Sequence, residues 1–569
     1  MQASHSLPRN LPAAPSARAE SIPFERRIVG AHMLVALAAL SLGILLGPFQ
    51  TFRRAPALQW DIPVFSYYYQ ALTVHGVMNA LFFTTFFIVG FSYCVVQLSL
   101  ARPLWSRRTA WWAFGLMLGG LGLVLFAVVT NQANVLYTFY PSLLAHPAFY
   151  IGLLGLVSGT WLVAINLFMT YRGWRHDNPG VRVPLAVFGT LANFVMWCVG
   201  TIGVTIEIVF MLLPLSLGWI TEVNPQLARA LFWFFGHPLV YFWLLPAYVS
   251  WYTMLPKQSG GRLFSDPLAR VSFLLLMIFS VPVGVHHLFT DPGVSMTMKV
   301  VHMVFTFVVV IPSMLTAFNL AATLERVGRA NGARRPLAWM LRQRWGDPVV
   351  AAQLCGMLLF VAGGFSGIIQ SSFTLNVALH NTAWVPAHFH MTLAGAVLLT
   401  FVSILYWLLP MLSGRALWSR RVALWQVYTW FAGMAVFGHN MGMAGIHGSP
   451  RRTDLGGANY INAESVAFLN YAAIGGALLL VSSVLLYLNL IGTLAWSRRA
   501  VVEPPPVDLK GDPGAPLWLE RWRLWLAVIA VLAVVAWGPV LVGALDPSGA
   551  SSVPAYRPES PVPLGGETR

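Results

Sequence analysis

Residues 384–410 read WVPAHFHMTLAGAVLLTFVSILYWLLP: no Asp, Glu, Lys or Arg, and two histidines near the front. An apolar run of about twenty residues can cross a bilayer as a helix, and a histidine inside one is costly and kept for a task. Similar runs recur along the chain, whose 569 residues are 57% hydrophobic and only 9% charged. A soluble protein carries about a quarter charged residues. The fold class expected is all-α: a polytopic membrane helix bundle with about 13 transmembrane helices. The spans start near residues 27, 71, 109, 145, 183, 226, 268, 299, 348, 384, 421, 464 and 522.

The net charge of +16 reports orientation, not a nucleic-acid partner. With the N-terminus taken as cytoplasmic, inner segments hold 27 of the 35 Lys and Arg residues, including the run Arg326, Arg329, Arg334, Arg335, Arg342 and Arg344. That excess marks the cytoplasmic side and leaves the C-terminus outside. Five segments are expected: a disordered cytoplasmic tail (1–26), a twelve-helix core (27–499), a cytoplasmic Pro-rich linker (500–521), a thirteenth transmembrane helix (522–545) and an outer tail (546–569). Cys94, Cys198 and Cys355 form no C-x-x-C pair, which argues against disulfides, covalent haem attachment and thiolate clusters.

Among the histidines of the spans, six stand out by their spacing and depth: His75, His237, His286, His287, His388 and His390. His388 and His390 are two apart, about 200° around a helix, so they face opposite sides of the tenth span and serve two different centres. His237 and Tyr241 are four apart and share a face of the sixth span. His286 and His287 differ by about 100°, and Pro282 and Gly284 just before them permit an irregularity that turns both toward one ion. His75, His237, His388 and His390 lie early in inward-running spans, whereas His286 and His287 lie late in an outward-running one. All six therefore sit in the outer part of the membrane. A lone intramembrane histidine more often ties two helices together by a hydrogen bond. Six at one depth suit copper and haem iron.

The segments LTVHGVMNALFF, FWFFGHPLVYFWLLPAY, VPVGVHHLF and HNTAWVPAHFHMTLAG resemble subunit I of the haem–copper oxygen reductases over roughly residues 27–545. The resemblance implies that His75 and His390 are the axial ligands of a low-spin, electron-relaying haem, expected to be b-type. It makes His388 the single protein ligand of a high-spin haem, expected to be a-type, with His237, His286 and His287 holding the facing copper (CuB). Tyr241 matches the family's tyrosine that is bonded covalently to the copper-ligating histidine four residues earlier. Splitting O2 without releasing peroxide takes four electrons, which iron, copper and a phenol together provide. The implied activity is that of a cytochrome c oxidase, a terminal respiratory oxidase coupled to proton translocation.

Finer features resemble the B-type branch. Where the mitochondrial-like branch has H-P-E-V-Y, this chain reads His237-Pro238-Leu239-Val240-Tyr241 and lacks the carboxylate. Tyr241, Tyr248 and Tyr252 form one stripe of the sixth span, and Ser313 with Thr316 one face of the eighth. These five resemble that branch's single proton channel. Arg451 and Arg452 match paired arginines that bind haem propionates, since a guanidinium fork suits carboxylates. His380 and Asp291 are candidates for the same region. Asn376 stands where an Asp is expected in B-type relatives, and an amide cannot load a proton.

No C-x-x-x-C copper motif is present, so an entry copper (CuA) is expected on a separate subunit II, with cytochrome c, or else quinol, as donor and O2 as substrate. The expected location is the prokaryotic plasma membrane. A nitric-oxide reductase of the same superfamily would carry acidic residues beside its non-haem iron and lack the tyrosine. A solute transporter with structural histidines would hold no haem.

Overall fold

The computed structural model describes residues 25–65, 67–455, 462–545 and 553–554. All but Glu25 and Arg26 of the expected 1–26 tail, and most of the 546–569 tail, lie outside the described residues, and Arg26 already begins the first helix. In chain order the long helices are α1 (Arg26–Arg54), α2 (Tyr68–Leu100), α3 (Arg107–Val129), α4 (Pro147–Asp177), α5 (Leu185–Ser216) and α6 (Pro225–Thr253). There follow α7 (Asp266–Phe279, continued by Val281–Leu288), α8 (Met296–Ala330), α9 (Pro348–Ser371) and α10 (Trp384–Ser413). The last three are α11 (Arg420–Ile446), α12 (Ala463–Ala495) and α13 (Trp522–Leu545).

Eleven of these are long and apolar enough to cross a membrane, or twelve if the bent α7 counts as one span. The remaining expected span, α11, is helical over 27 residues but falls below that apolarity, with Arg420, Arg421, Gln426, His439 and Asn440 along it. Most helix starts have a local cause. Ser106, Asn224, Asp347, Ser419 and Asn462 each accept a backbone N–H of the first turn, and α4, α6, α7 and α9 carry proline at their first positions.

Three helices depart from α geometry where histidines sit. α2 widens into a π turn at Val77–Phe83, just past His75, and α10 does so at His390–Val397. α7 breaks after Phe279, bends by 54° and continues as a 3-10 turn, with Pro282 at φ −82°, ψ 28°. Such departures need a local cause, and here a Pro–x–Gly sequence supplies one.

The expected Pro-rich linker is docked, not free. Ala500 N–H bonds Gly414 O, Gly511 N–H bonds Arg182 O, and Lys257 pairs with Asp508 at 2.9 Å. Its anchor is Arg270, fully buried, which donates to Asp266 at 2.5 Å, Glu520 at 3.2 Å and the Val183 carbonyl at 2.6 Å. Glu520 also accepts the Val183 N–H, and the linker, α5 and α7 thus share one ion cluster at the end of the bundle away from the histidines. Removing one member of a buried ion pair strands the other, typically costing 3–5 kcal/mol. Arg270→Leu is therefore expected to lose about 3–5 kcal/mol and Glu520→Gln less, since Gln keeps the acceptor for Val183. Thermal unfolding in detergent measures this, and an unchanged midpoint for Arg270→Leu would refute the clamp.

Candidate metal centre

The two histidines of α10 do face opposite ways. His388 turns toward α9, with Nδ1 2.9 Å from Gly363 O and 3.0 Å from Ser366 Oγ. His390 turns toward α2, where its ring lies nearly parallel to that of His75, 12° apart in plane and 6.1 Å between centroids. One metal bonded at about 2 Å to a nitrogen of each ring would space the centroids by about 6 Å. The His75–His390 pair thus has the separation of two axial ligands.

A shared device sets these three rings. His75 Nδ1 lies 2.8 Å from Gly43 O, His388 Nδ1 2.9 Å from Gly363 O, and His390 Nδ1 2.7 Å from Pro386 O. A carbonyl only accepts, so Nδ1 carries the proton and Nε2 keeps its lone pair. A metal-ligating imidazole is oriented in the same way by its other nitrogen. Close contact adds to it: a Cβ on Gly47 would lie 2.9 Å from His75 Cε1, and one on Gly367 2.7 Å from His388 Cε1.

His237, His286 and His287 each offer a nitrogen within 4.8 Å of the other two. His237 Nδ1 is 3.3 Å from His287 Nε2. Thr306 spends its hydroxyl proton on His302 O at 2.6 Å, so it accepts from His286 Nδ1 at 3.0 Å and leaves His286 Nε2 free. The indole of Trp233 stacks on His287 at 3.6 Å and 11°. Tyr241 shares the α6 face as expected, its ring centroid 4.8 Å from that of His237. His237 Nε2 is buried with no hydrogen-bond partner. Among the described residues no carboxylate joins this cluster.

All six histidines and Tyr241 line one cavity of about 760 Å³, which also reaches Arg54, Arg451 and Arg452. Arg54 Nε and Arg452 Nη2 are buried and unpaired, and Arg452 holds a left-handed φ of 63°. Buried guanidinium donors left over beside a large apolar space are suited to carboxylates of a bound group. The donor set therefore fits two haems and a copper ion: His75, His388, His390 and His286 each leave Nε2 with its lone pair, and guanidinium donors are left over at one end.

Nearby, Asn376 Oδ1 meets His380 Nδ1 at 3.2 Å, and Asn376 Nδ2 donates to Gln370 O at 2.8 Å. Burial, helped by the charges of Arg451, Arg229 and Arg452, lowers His380 to about 4. Burial and the adjacent Arg452 bring Arg451 down to about 10. Asp291 is occupied elsewhere, in a two-bond pair with Arg229 at 2.6 and 2.9 Å.

Farther along α6, the Tyr252 hydroxyl donates to Thr316 Oγ1 at 2.5 Å, and the Tyr248 and Tyr252 rings are 5.9 Å apart. Ser313 and Thr316 adjoin Tyr248, whose hydroxyl makes no direct hydrogen bond. Four of the five expected relay residues are thus together, with Tyr241 nearly two turns away on the same helix.

Sequence reasoning missed Gly47, Gly367, Trp233, His302, Arg54 and Arg229. Only Trp233 left a usable signal, since it lies four residues before His237 and so on the same face.

Residues 27–479 match the family model described as cytochrome c and quinol oxidase polypeptide I. Cytochrome c oxidase subunit 1 of Thermus thermophilus is 38% identical over 554 residues, covering 94% of this chain and 97% of that one. Quinol oxidase subunit 1 of Bacillus subtilis is 25% identical, covering 77% and 67%. A heme–copper terminal oxidase dimer solved by cryo-EM superposes with a TM-score of 0.90 at 39% identity, covering 94% of this chain and 96% of that one. Conserved over nearly its whole length in both sequence and bundle geometry, the chain belongs to the haem–copper oxidase subunit I family, the catalytic subunits of terminal respiratory oxidases.

Proposed function

We propose that the chain is a B-type member that reduces O2 to water at a haem–copper centre and couples this to proton translocation. One observation carries the reading: His388 and the His237–His286–His287 set line the same cavity, with Tyr241 beside them and no acidic residue in the lining among the described residues. As a family member the chain holds haem and copper, spans the membrane and works beside a subunit II. When bound, those groups supply the electrons and the open coordination position that O2 requires.

The residues divide that work. His75 and His390 would hold the low-spin haem, and His388 would hold the high-spin one. His237, His286 and His287 hold copper, and the free Nε2 of His237 is the atom available for a bond to the Tyr241 ring. Tyr241 supplies a phenolic proton and electron next to the copper. Tyr252, Thr316, Ser313 and Tyr248 pass protons toward it, because each hydroxyl can both donate and accept. Arg451 and Arg452 hold propionates, with His380 and Asn376 beside them. Asp291, engaged by Arg229, steadies the same region and is not a direct partner of His380. With an amide at 376, His380 is the titratable group there.

The cavity lining also includes the apolar residues Ala317, Leu320, Ala321 and Leu324 of α8 and Trp339, which suit a haem with a long hydrocarbon chain. The high-spin haem is taken as a-type and the low-spin haem as b-type. Electrons enter from a CuA-bearing subunit II fed by cytochrome c, with quinol the alternative donor. The N-terminus is cytoplasmic and the membrane is the prokaryotic plasma membrane.

Metal and haem analysis of the purified complex, with O2 and NO turnover, tests the reading. Two haem irons and one CuB per catalytic subunit, beside the copper of CuA on subunit II, with O2 consumption is expected. NO turnover without O2 consumption, or a non-haem iron in place of CuB, would overturn it in favour of a nitric-oxide reductase. A flat reduced-minus-oxidised spectrum would point instead to a transporter.

Three variants probe the parts. Tyr241→Phe is expected to abolish turnover while both haems remain bound, and full activity would remove its assigned role. Gly367→Ala pushes a methyl into His388 and is expected to erase CO binding by the high-spin haem while low-spin bands persist. Thr316→Val breaks the bond from Tyr252 and should slow steady-state turnover on the order of a hundredfold with unchanged haem spectra. Wild-type turnover in Thr316→Val would exclude this route.

A further inference from the structure

The family match ends at residue 479, so α13 lies beyond it. Yet α13 packs against the least regular part of the site, the 3-10 turn Val281–Leu288 that carries His286 and His287. Leaving α geometry inside a membrane frees backbone groups that have no water to bond. Two of them find side chains. The Trp537 indole of α13 donates to Val281 O at 2.7 Å. The Val285 N–H donates to His302 Nδ1 of α8 at 3.4 Å.

His302 is fully buried and spans the gap between the two elements. Its Nε2 donates to Ala536 O of α13 at 2.9 Å, and this tautomer leaves Nδ1 as the acceptor that Val285 needs. Its ring meets Trp537 edge-on at 5.0 Å. Its own carbonyl accepts the Thr306 hydroxyl that faces His286 Nδ1. Trp537 also walls in Gly284, where a Cβ would come within 2.5 Å of the indole and collide with the Trp233 carbonyl.

We infer that α13 and His302 form a brace that holds the broken end of α7, making Trp537 and His302 positioning residues for the copper ion. The inference rests on the copper ligands proposed above. Without the brace, Val281 O and Val285 N–H lose their partners, and the turn relaxes toward a continuous helix. His286 and His287 would then move relative to His237, which sits on α6 and is held separately. The haem ligands on α2 and α10 would stay in place. The brace thus acts on one metal of three.

The test uses the purified holoenzyme complex. Trp537→Phe keeps the ring and removes the N–H, His302→Leu removes both bonds, and His302→Gln retains a donor and an acceptor. The readouts are copper in excess of CuA per haem iron, the chelator concentration that strips half of that CuB copper, and the infrared stretch of CO photolysed from haem onto CuB. Outer-shell partners of metal ligands are worth roughly 10–100-fold in affinity. Trp537→Phe and His302→Leu are therefore expected to lower the half-stripping chelator concentration about tenfold and to shift the CO stretch, with both haem spectra unchanged. His302→Gln should recover most of the loss. His287→Ala separates the two readings: copper retained there refutes the ligand assignment itself. Copper lost in His287→Ala, but held at wild-type strength with an unmoved CO stretch in Trp537→Phe, refutes the brace alone. Trp537→Phe decides the question even where His302→Leu does not accumulate.

Discussion

A hydrogen bond from imidazole Nδ1 to a backbone carbonyl is the constraint on which this site depends. It occurs at His75, His388 and His390, with Gly43, Gly363 and Pro386 as acceptors. Each bond fixes which nitrogen is bare and where it points, before any metal arrives. At His286 the hydroxyl of Thr306 takes the carbonyl's place. For His75 and His388 a neighbouring helix must therefore bring its carbonyl within reach of the ring, whereas Pro386 lies one turn before His390 on α10 itself. That explains the small residues opposite the histidines: side chains at Gly47 or Gly367 would occupy the space of the rings.

Helical arithmetic carried much of the site from the sequence. Two residues apart on a helix put His388 and His390 on opposite sides, and four apart put Tyr241 with His237. Pro282 and Gly284 foretold the break that lets adjacent histidines converge. What stayed hidden are pairings between distant residues of ordinary type. A glycine in a membrane helix gives no hint that it faces a ring, so Gly47 and Gly367 were invisible, as was Arg54, which looked like one more loop charge. Asp291 pairs with Arg229, which lies 62 residues away and carries no local mark. The limit on helix counting is physical too: α11 carries enough polar residues to fall short of a span by apolarity while packing along α12.

The two ends of the bundle follow different chemistry. Around the histidines, the Arg229–Asp291 pair is closed, but the buried cations Arg54 and Arg452 have donors to spare. At the far end, Arg270, Glu520 and Asp266 satisfy one another and tie the linker down. The first arrangement keeps a place open, and the second closes one. Charge that must be available for a ligand is left incomplete, whereas charge used for cohesion is neutralised on the spot.

The π turns in α2 and α10 have one more consequence. Each lodges an extra residue within its helix. Relative to an uninterrupted helix, everything past the bulge is rotated by about 100°. The ligand-bearing half of each helix and the half beyond it therefore keep separate rotational settings. Deleting a single residue from either bulge would gear the two halves together and swing a histidine away from its partner, although no ligand had been touched.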